Sequence, residues 1–292
     1  MTAMTFMFAL VSCERPQGTA SVDMHVNVTV PSGSGSEMMR MFLFNAGNGS
    51  LSGELFLSGR NGDTFTRTST LRCGEYDILA YNFDIPDTFF RGERDRNTLE
   101  IYTNPVGSNI RKSFLLEDSA SVVYAPDFVI AGTSLQTVTG SSSSMTFSAV
   151  PVTETWRIVL KADGAQYAAA SGCIISGEFT SYRPFAGGCS ECGSIYFDLE
   201  RGSDRLSADF NTFGHDTERG ISITVFVNNG EDVFNYTKTI TDLVEQALAD
   251  GSNTLELSVP IVIPSPKGQQ TSGGGFTPVV GDWGKENSEI LI

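Results

Sequence analysis

The feature that most restricts this chain is a period-two alternation of apolar and polar side chains that returns along its whole length. Val22, Met24, Val26, Val28 and Val30 fall on one side of an extended segment, with Asp23, His25, Asn27 and Thr29 on the other. The same spacing returns at Trp156, Ile158 and Leu160, at Ile195, Phe197 and Leu199, at Ile221, Ile223, Val225 and Val227, and at Leu255, Leu257 and Val259. Successive side chains of a strand point to opposite faces, so each segment turns one face to a core and one to water, as antiparallel sandwich sheets do. Turn dipeptides separate the runs: Asn48-Gly49, Asn61-Gly62, Asp163-Gly164, Asn229-Gly230 and Asp250-Gly251. One segment alone reads as a helix. Asp242 can cap it, Glu245 answers three residues later, and Leu243, Val244, Ala247 and Leu248 share a face up to Gly251.

The expected class is therefore all-β, with at most one or two short helices. At 292 residues and 40% hydrophobic content, the chain can build two packed domains of ordinary size. The polar loop Ser141 to Ser144 precedes an extended stretch, Met145 to Val152 and Glu154 to Leu160, that leaves one sandwich and enters the next. This predicts an N-terminal β-sandwich over 22–148 and a C-terminal one over 149–292. The formal charge of −15 repels phosphate backbones, so nucleic acid is not expected as a partner. No apolar run approaches the roughly 18–20 residues that a membrane-spanning helix needs.

The first residues carry an address. Met4 to Val11 are mostly apolar, and Leu10, Val11, Ser12 and Cys13 have the order of a bacterial lipoprotein signal. Cys13 would take a diacylglycerol on its thiol, the small Ser12 giving the peptidase access to the bond before it. No Lys or Arg precedes Cys13, which departs from the usual signal peptide. Residues 1–12 are thus expected as signal peptide and 13–21 as tether. Export leaves Cys73, Cys173, Cys189 and Cys192 as either two disulfides or free thiols. Cys189-Ser190-Glu191-Cys192 has C-x-x-C spacing, but it follows Gly187-Gly188 and precedes a strand-like run, which reads as a hairpin loop. A redox site of this kind opens a helix, and a zinc site needs further ligands than the nearby Cys173 and the more distant His215.

Catalytic constellations are not evident, and neither an enzyme, a cofactor nor a metal site is expected. His25 lies on the polar face of a predicted strand, and His215 follows Phe213-Gly214 in a turn, so both read as surface or loop residues. No G-x-S-x-G elbow is present, Gly33-Ser34-Gly35 has no following Lys, and Asp84, Asp87, Glu93 and Asp95 read as a solvated acidic face. Exposed aromatics able to stack on sugar rings are sought at Phe89 and Phe90 beside Arg91, or at Tyr182 and Phe185.

Several of these residues form a pattern. Cys13, the segment Cys73-Gly74-Glu75-Tyr76-Asp77-Ile78-Leu79-Ala80-Tyr81-Asn82, the run Phe210 to Gly214, and the tail Gly273 to Phe276 with Asp282-Trp283 resemble fimbrillin-like lipoproteins of Bacteroidetes. More narrowly, the chain resembles a branch related to the minor and anchor subunits of type V pili. The resemblance implies two tandem Greek-key, transthyretin-like β-sandwiches, held at the outer membrane by lipid on Cys13 and facing the cell surface. It also implies other fimbrial subunits as partners through strand complementation, in which a segment of one subunit completes the sheet of the next. Arg15, Arg40 and Arg60 are candidate cut sites for a trypsin-like maturase. A free-standing surface lipoprotein, acting as an adhesin or glycan-binding module, is the alternative.

Overall fold

A computed structural model describes residues 20–33, 35–60, 63–116 and 121–267. Cys13, Arg15, the Asn61-Gly62 turn and the tail from Gly273 lie outside the described residues. The chain runs through β1 (Ser21–Thr29), β2 (Met38–Asn45), β3 (Leu51–Arg60), β4 (Thr64–Arg72), β5 (Gly74–Asn82), β6 (Thr88–Arg91) and β7 (Glu100–Thr103). Helix α1 (Ser108–Phe114) follows, then β8 (Val122–Tyr124), β9 (Ile130–Val138), β10 (Ser144–Ser148), β11 (Val150–Pro151) and β12 (Glu154–Asp163). Next come β13 (Ala170–Phe179), β14 (Ser181–Arg183), β15 (Gly188–Cys189), β16 (Cys192–Asp198), β17 (Glu200–Arg201) and β18 (Arg205–Thr212). The described part closes with β19 (Ser222–Asn228), β20 (Val233–Thr239), α2 (Thr241–Ala249) and β21 (Thr254–Val262). The all-β sandwich class expected from the alternation is the class observed.

In the first half, one sheet has the strand order β10-β1-β4-β3-β2-β5-β9-β11. β3 and β4 pair only from Ser58↔Thr66 to Arg60↔Thr64, so the sheet folds there and its two wings share a core. Met24, Val26, Val28 and Met145 from one wing join Met39, Met41, Leu57, Ile78 and Ala80 from the other in that core. The predicted inward set of β1 is buried from Met24 to Val30, with Val22 partly buried at the strand start. β10 and β11 follow one another in sequence yet close opposite ends of the sheet, the Ala149 amide bonding to Thr29 and the Val152 amide to Val129. Gly132 lets this crossing strand pass, since a Cβ there would stand 2.4 Å from the Ser148 carbonyl oxygen.

In the second half, sheet β17-β18-β12-β21 faces sheet β20-β19-β13-β16-β8. Their shared core includes Trp156, Ile158, Leu160, Ile175, Ile223, Val225 and Leu257, and Phe197 stacks on Phe210 at 4.3 Å between centroids. The ladders are mostly antiparallel, but β1–β10, β12–β21 and β16–β8 are parallel, each joining strands far apart in sequence. The two halves are interleaved. β8 extends a sheet otherwise built from residues after 150, and β6 and β7 pair with β14 and β15 in a small four-stranded sheet. Phe42, Phe44, Tyr81 and Ile101 meet Phe213, Tyr182 and Phe185 in the core beneath it.

The predicted helix is α2, with its cap shifted. Ile240 occupies the N-cap position without a side-chain bond, and Asp242 lies in the first turn, where its charge suits the helix dipole. The Thr241 hydroxyl oxygen instead accepts from the Ile221 amide at 2.8 Å, tying the helix start to β19. Helix α1 escaped the sequence reading because its seven residues are largely polar, and it is held by Phe114 packing on Tyr196 and Phe226.

Candidate functional site

All four cysteines in the described region are free thiols, each in its own setting. Cys173 is buried in the second core, and Cys73 is half-buried just before β5. Cys189 and Cys192 do not share a hairpin loop as expected. Cys189 ends β15, opposite Tyr182, and Cys192 opens β16, opposite Phe179, so Ser190 and Glu191 step from one sheet to the next. The difference arises because the Ser190 and Thr180 amides bond across this link to Ser181 and Glu191. Burial raises the pKa of both thiols, the reverse of what a thiolate nucleophile needs. Among the described residues, no group of three or more His, Cys, Asp or Glu side chains is arranged to hold a metal.

His25 is on the exposed face of β1 as expected, within 3.2 Å of the Thr68 hydroxyl. His215 is not a surface residue: its ring is 3% exposed, with Nδ1 2.7 Å from Oε1 of the fully buried Glu178. The ring meets Trp156 edge-on at 4.6 Å. A bulge at Gly177 accounts for the burial of this pair. It shifts the β13 register between Ser176 and Glu178, which turns Glu178 inward to accept a 2.5 Å bond from the Thr212 hydroxyl. Gly177 has φ 78°, and a Cβ there would lie 2.6 Å from the Gly220 carbonyl oxygen. No alternation pattern shows such a bulge in advance.

The junction between the halves holds a second buried carboxylate. Glu100 on β7 pairs with Arg91 at 2.7 Å and accepts hydrogen bonds from Ser181 and Ser190, while Arg91 also reaches Glu191 at 2.8 Å. Burial alone would raise the Glu100 carboxyl, but the bonds from Arg91, Ser190 and Ser181 outweigh it and bring the pKa down to about 2. Glu100 therefore stays ionised and staples β7 to the β14–β15 hairpin.

The aromatics proposed as sugar platforms are packing anchors. Phe90 packs on Tyr81 with the rings tilted by 30° and centroids 3.9 Å apart, Phe185 meets Phe44 edge-on at 5.5 Å, and Tyr182 stacks on Phe213 at 6.4 Å. Phe89 contacts Tyr102, over which Arg91 also lies. The exposed aromatic pair lies elsewhere. On the face of β2 opposite the methionine-lined core, Phe42 and Phe44 are covered at one end, but Met38 and Arg40 emerge at the other. Arg40 stands opposite Phe56 of β3 and Tyr81 of β5, and Phe83 follows β5 with its amide on the Met38 carbonyl. Met38, Phe56 and Phe83 are 40%, 38% and 46% exposed, large values for apolar side chains set together. The two rings meet at 78° with centroids 5.3 Å apart.

Arg40 is the polar centre of this patch. It donates to Glu54 at 2.7 Å, to Glu93 at 3.1 Å and to the Tyr81 hydroxyl oxygen at 2.9 Å. Its guanidinium carbon lies 4.5 Å from the Phe42 ring centre and 5.9 Å from that of Phe83. Set mid-sheet with ladders on both sides, Arg40 is not in the loop that a candidate cut site implies. Phe83 lies beyond the end of β5 and comes alongside because its amide pairs with the carbonyl of Met38, two residues from Arg40.

No protein-family model and no curated protein matches the sequence. The structure is similar to that of a candidate adhesin from Bacteroides ovatus, with a TM-score of 0.63 at 18% identity over 83% of this chain and 93% of the other. It is also similar to a candidate polysaccharide-binding protein from Bacteroides thetaiotaomicron, with a TM-score of 0.55 at 9% identity over 82% and 90% of the two chains. A second candidate adhesin, from the same Bacteroides thetaiotaomicron, gives 0.53 at 10% identity over 83% and 91%. The chain has the β-sandwich fold of these Bacteroides adhesin and polysaccharide-binding candidates.

Proposed function

We propose that the chain is a non-enzymatic cell-surface adhesion protein, an accessory or anchor subunit of fimbriae held at the outer membrane by lipid on Cys13. The observation that carries this reading is the fold likeness, over most of both chains, to a candidate adhesin. A further feature supports it: Cys13 follows an apolar run in lipoprotein order. In this reading the sandwiches over 22–148 and 149–292 are the two domains of the subunit.

The test is gentle isolation from the native outer membrane with mass spectrometry of whatever accompanies the protein. The fimbrial reading expects stoichiometric or ladder-forming pilin subunits that disappear when the tail is truncated after Gly275. A lipidated monomer without pilin partners would remove the subunit role and leave a free-standing adhesin.

A further inference from the structure

The patch at Met38, Arg40, Phe56 and Phe83 combines two properties that rarely coincide on a surface. Its rings form an open right-angled corner, and its hydrogen-bonding groups are already fixed in place. Glu54 and Glu93 remain one-third exposed, at 33% and 35%, so each keeps acceptor capacity beyond its bond to Arg40. We propose that this corner is a glycan-binding site, taking one or two residues of a neutral saccharide.

The chemistry selects that ligand over others. A pyranose has an apolar C–H face and a rim of hydroxyls, which match an aromatic ring beside oriented carboxylates. Charge argues against anionic glycans, since Arg40 faces two carboxylates in a chain of net charge −15. Size argues against a protein partner. Three partly exposed apolar side chains fall far short of the roughly 800 Å² per partner that a stable protein interface buries. Arg40 is held by three partners before any ligand arrives, so little side-chain freedom is lost on binding.

The proposal deepens the adhesion reading, yet it is tested on purified protein and so fails separately from any fimbrial role. The experiment is titration calorimetry of the full chain with neutral N-acetyllactosamine, mannose and galactose oligosaccharides, and with the sialylated and sulfated forms of the same cores. A neutral member should bind, and Phe83→Ala or Phe56→Ala should weaken it roughly tenfold without moving the melting temperature. Phe89→Ala, away from the corner, should leave the affinity unchanged. Failure of every neutral saccharide to bind at millimolar concentration would overturn the proposal. So would binding that survives the Phe56→Ala/Phe83→Ala double variant, a preference for the anionic forms, or self-association that the double variant abolishes.

Discussion

The core inside the folded eight-stranded sheet and the core between the two later sheets do the same job with different side chains. The first is filled by Met24, Met39, Met41 and Met145 among Val, Leu and Phe. The second has no methionine among its described residues and relies on Trp156 with Ile158, Ile175, Ile195, Ile221 and Ile223. The geometry accounts for the contrast. Two sheets facing each other offer regular pleated surfaces, which stiff β-branched side chains fill well. A sheet that folds at the β3–β4 corner and is closed by a crossing strand leaves irregular space, which unbranched thioethers can follow. The second core should therefore be the less forgiving of substitution.

Trp156→Ala should give the largest effect, destabilising by about 3–5 kcal/mol in chemical denaturation, because it empties the centre of the second core and uncovers His215. An equal loss from Ile78→Ala in the methionine core, where neighbours can refill the space, would weaken the contrast between the cores. Next comes the staple joining the halves. Glu100→Gln should cost about 1–3 kcal/mol, since Arg91 loses one of its two ion pairs and two serine hydroxyls lose a charged acceptor.

The same residue sets a pH dependence. Its folded pKa, about 2, is below the unfolded value near 4.3, so its contribution is complete above that value. It should be lost as pH falls from about 5 towards 2, and Glu100→Gln should flatten that part of a stability–pH curve. Met41→Leu should cost less, under about 1.5 kcal/mol, as a volume-conserving swap in the adaptable core. The smallest expected effect is that of reductant. With Cys73, Cys173, Cys189 and Cys192 as free thiols, dithiothreitol should shift the melting temperature by no more than about 2 °C, and a larger fall would reveal a disulfide.

What could be read in advance follows the same physical division. Alternation located β1, β12, β16, β19 and β21 because each has one face on a core, and Gly49, Gly164, Gly230 and Gly251 all take positive φ where turns were expected. Features that depend on contacts between distant segments were hidden. The crossing of β10 and β11, the insertion of β8 beside β16 and the pairing of β7 with β14 leave no mark on local spacing. The site was less legible than the fold. Phe90, Phe185 and Tyr182 were candidates by residue type, but the junction core took them up, whereas Phe56 and Phe83 meet only because β2 lies between β3 and β5. His215 was misplaced for the same reason, since only the Gly177 bulge brings Glu178 to it.

The central claim, a surface protein anchored through Cys13, is tested most directly by the intact mass of the protein extracted from its native membrane. The account predicts a chain that starts at Cys13 and carries a diacylglycerol, with Cys13→Ala abolishing the lipid and releasing the protein from the membrane fraction. An unlipidated chain that retains residues 1–12 would contradict it.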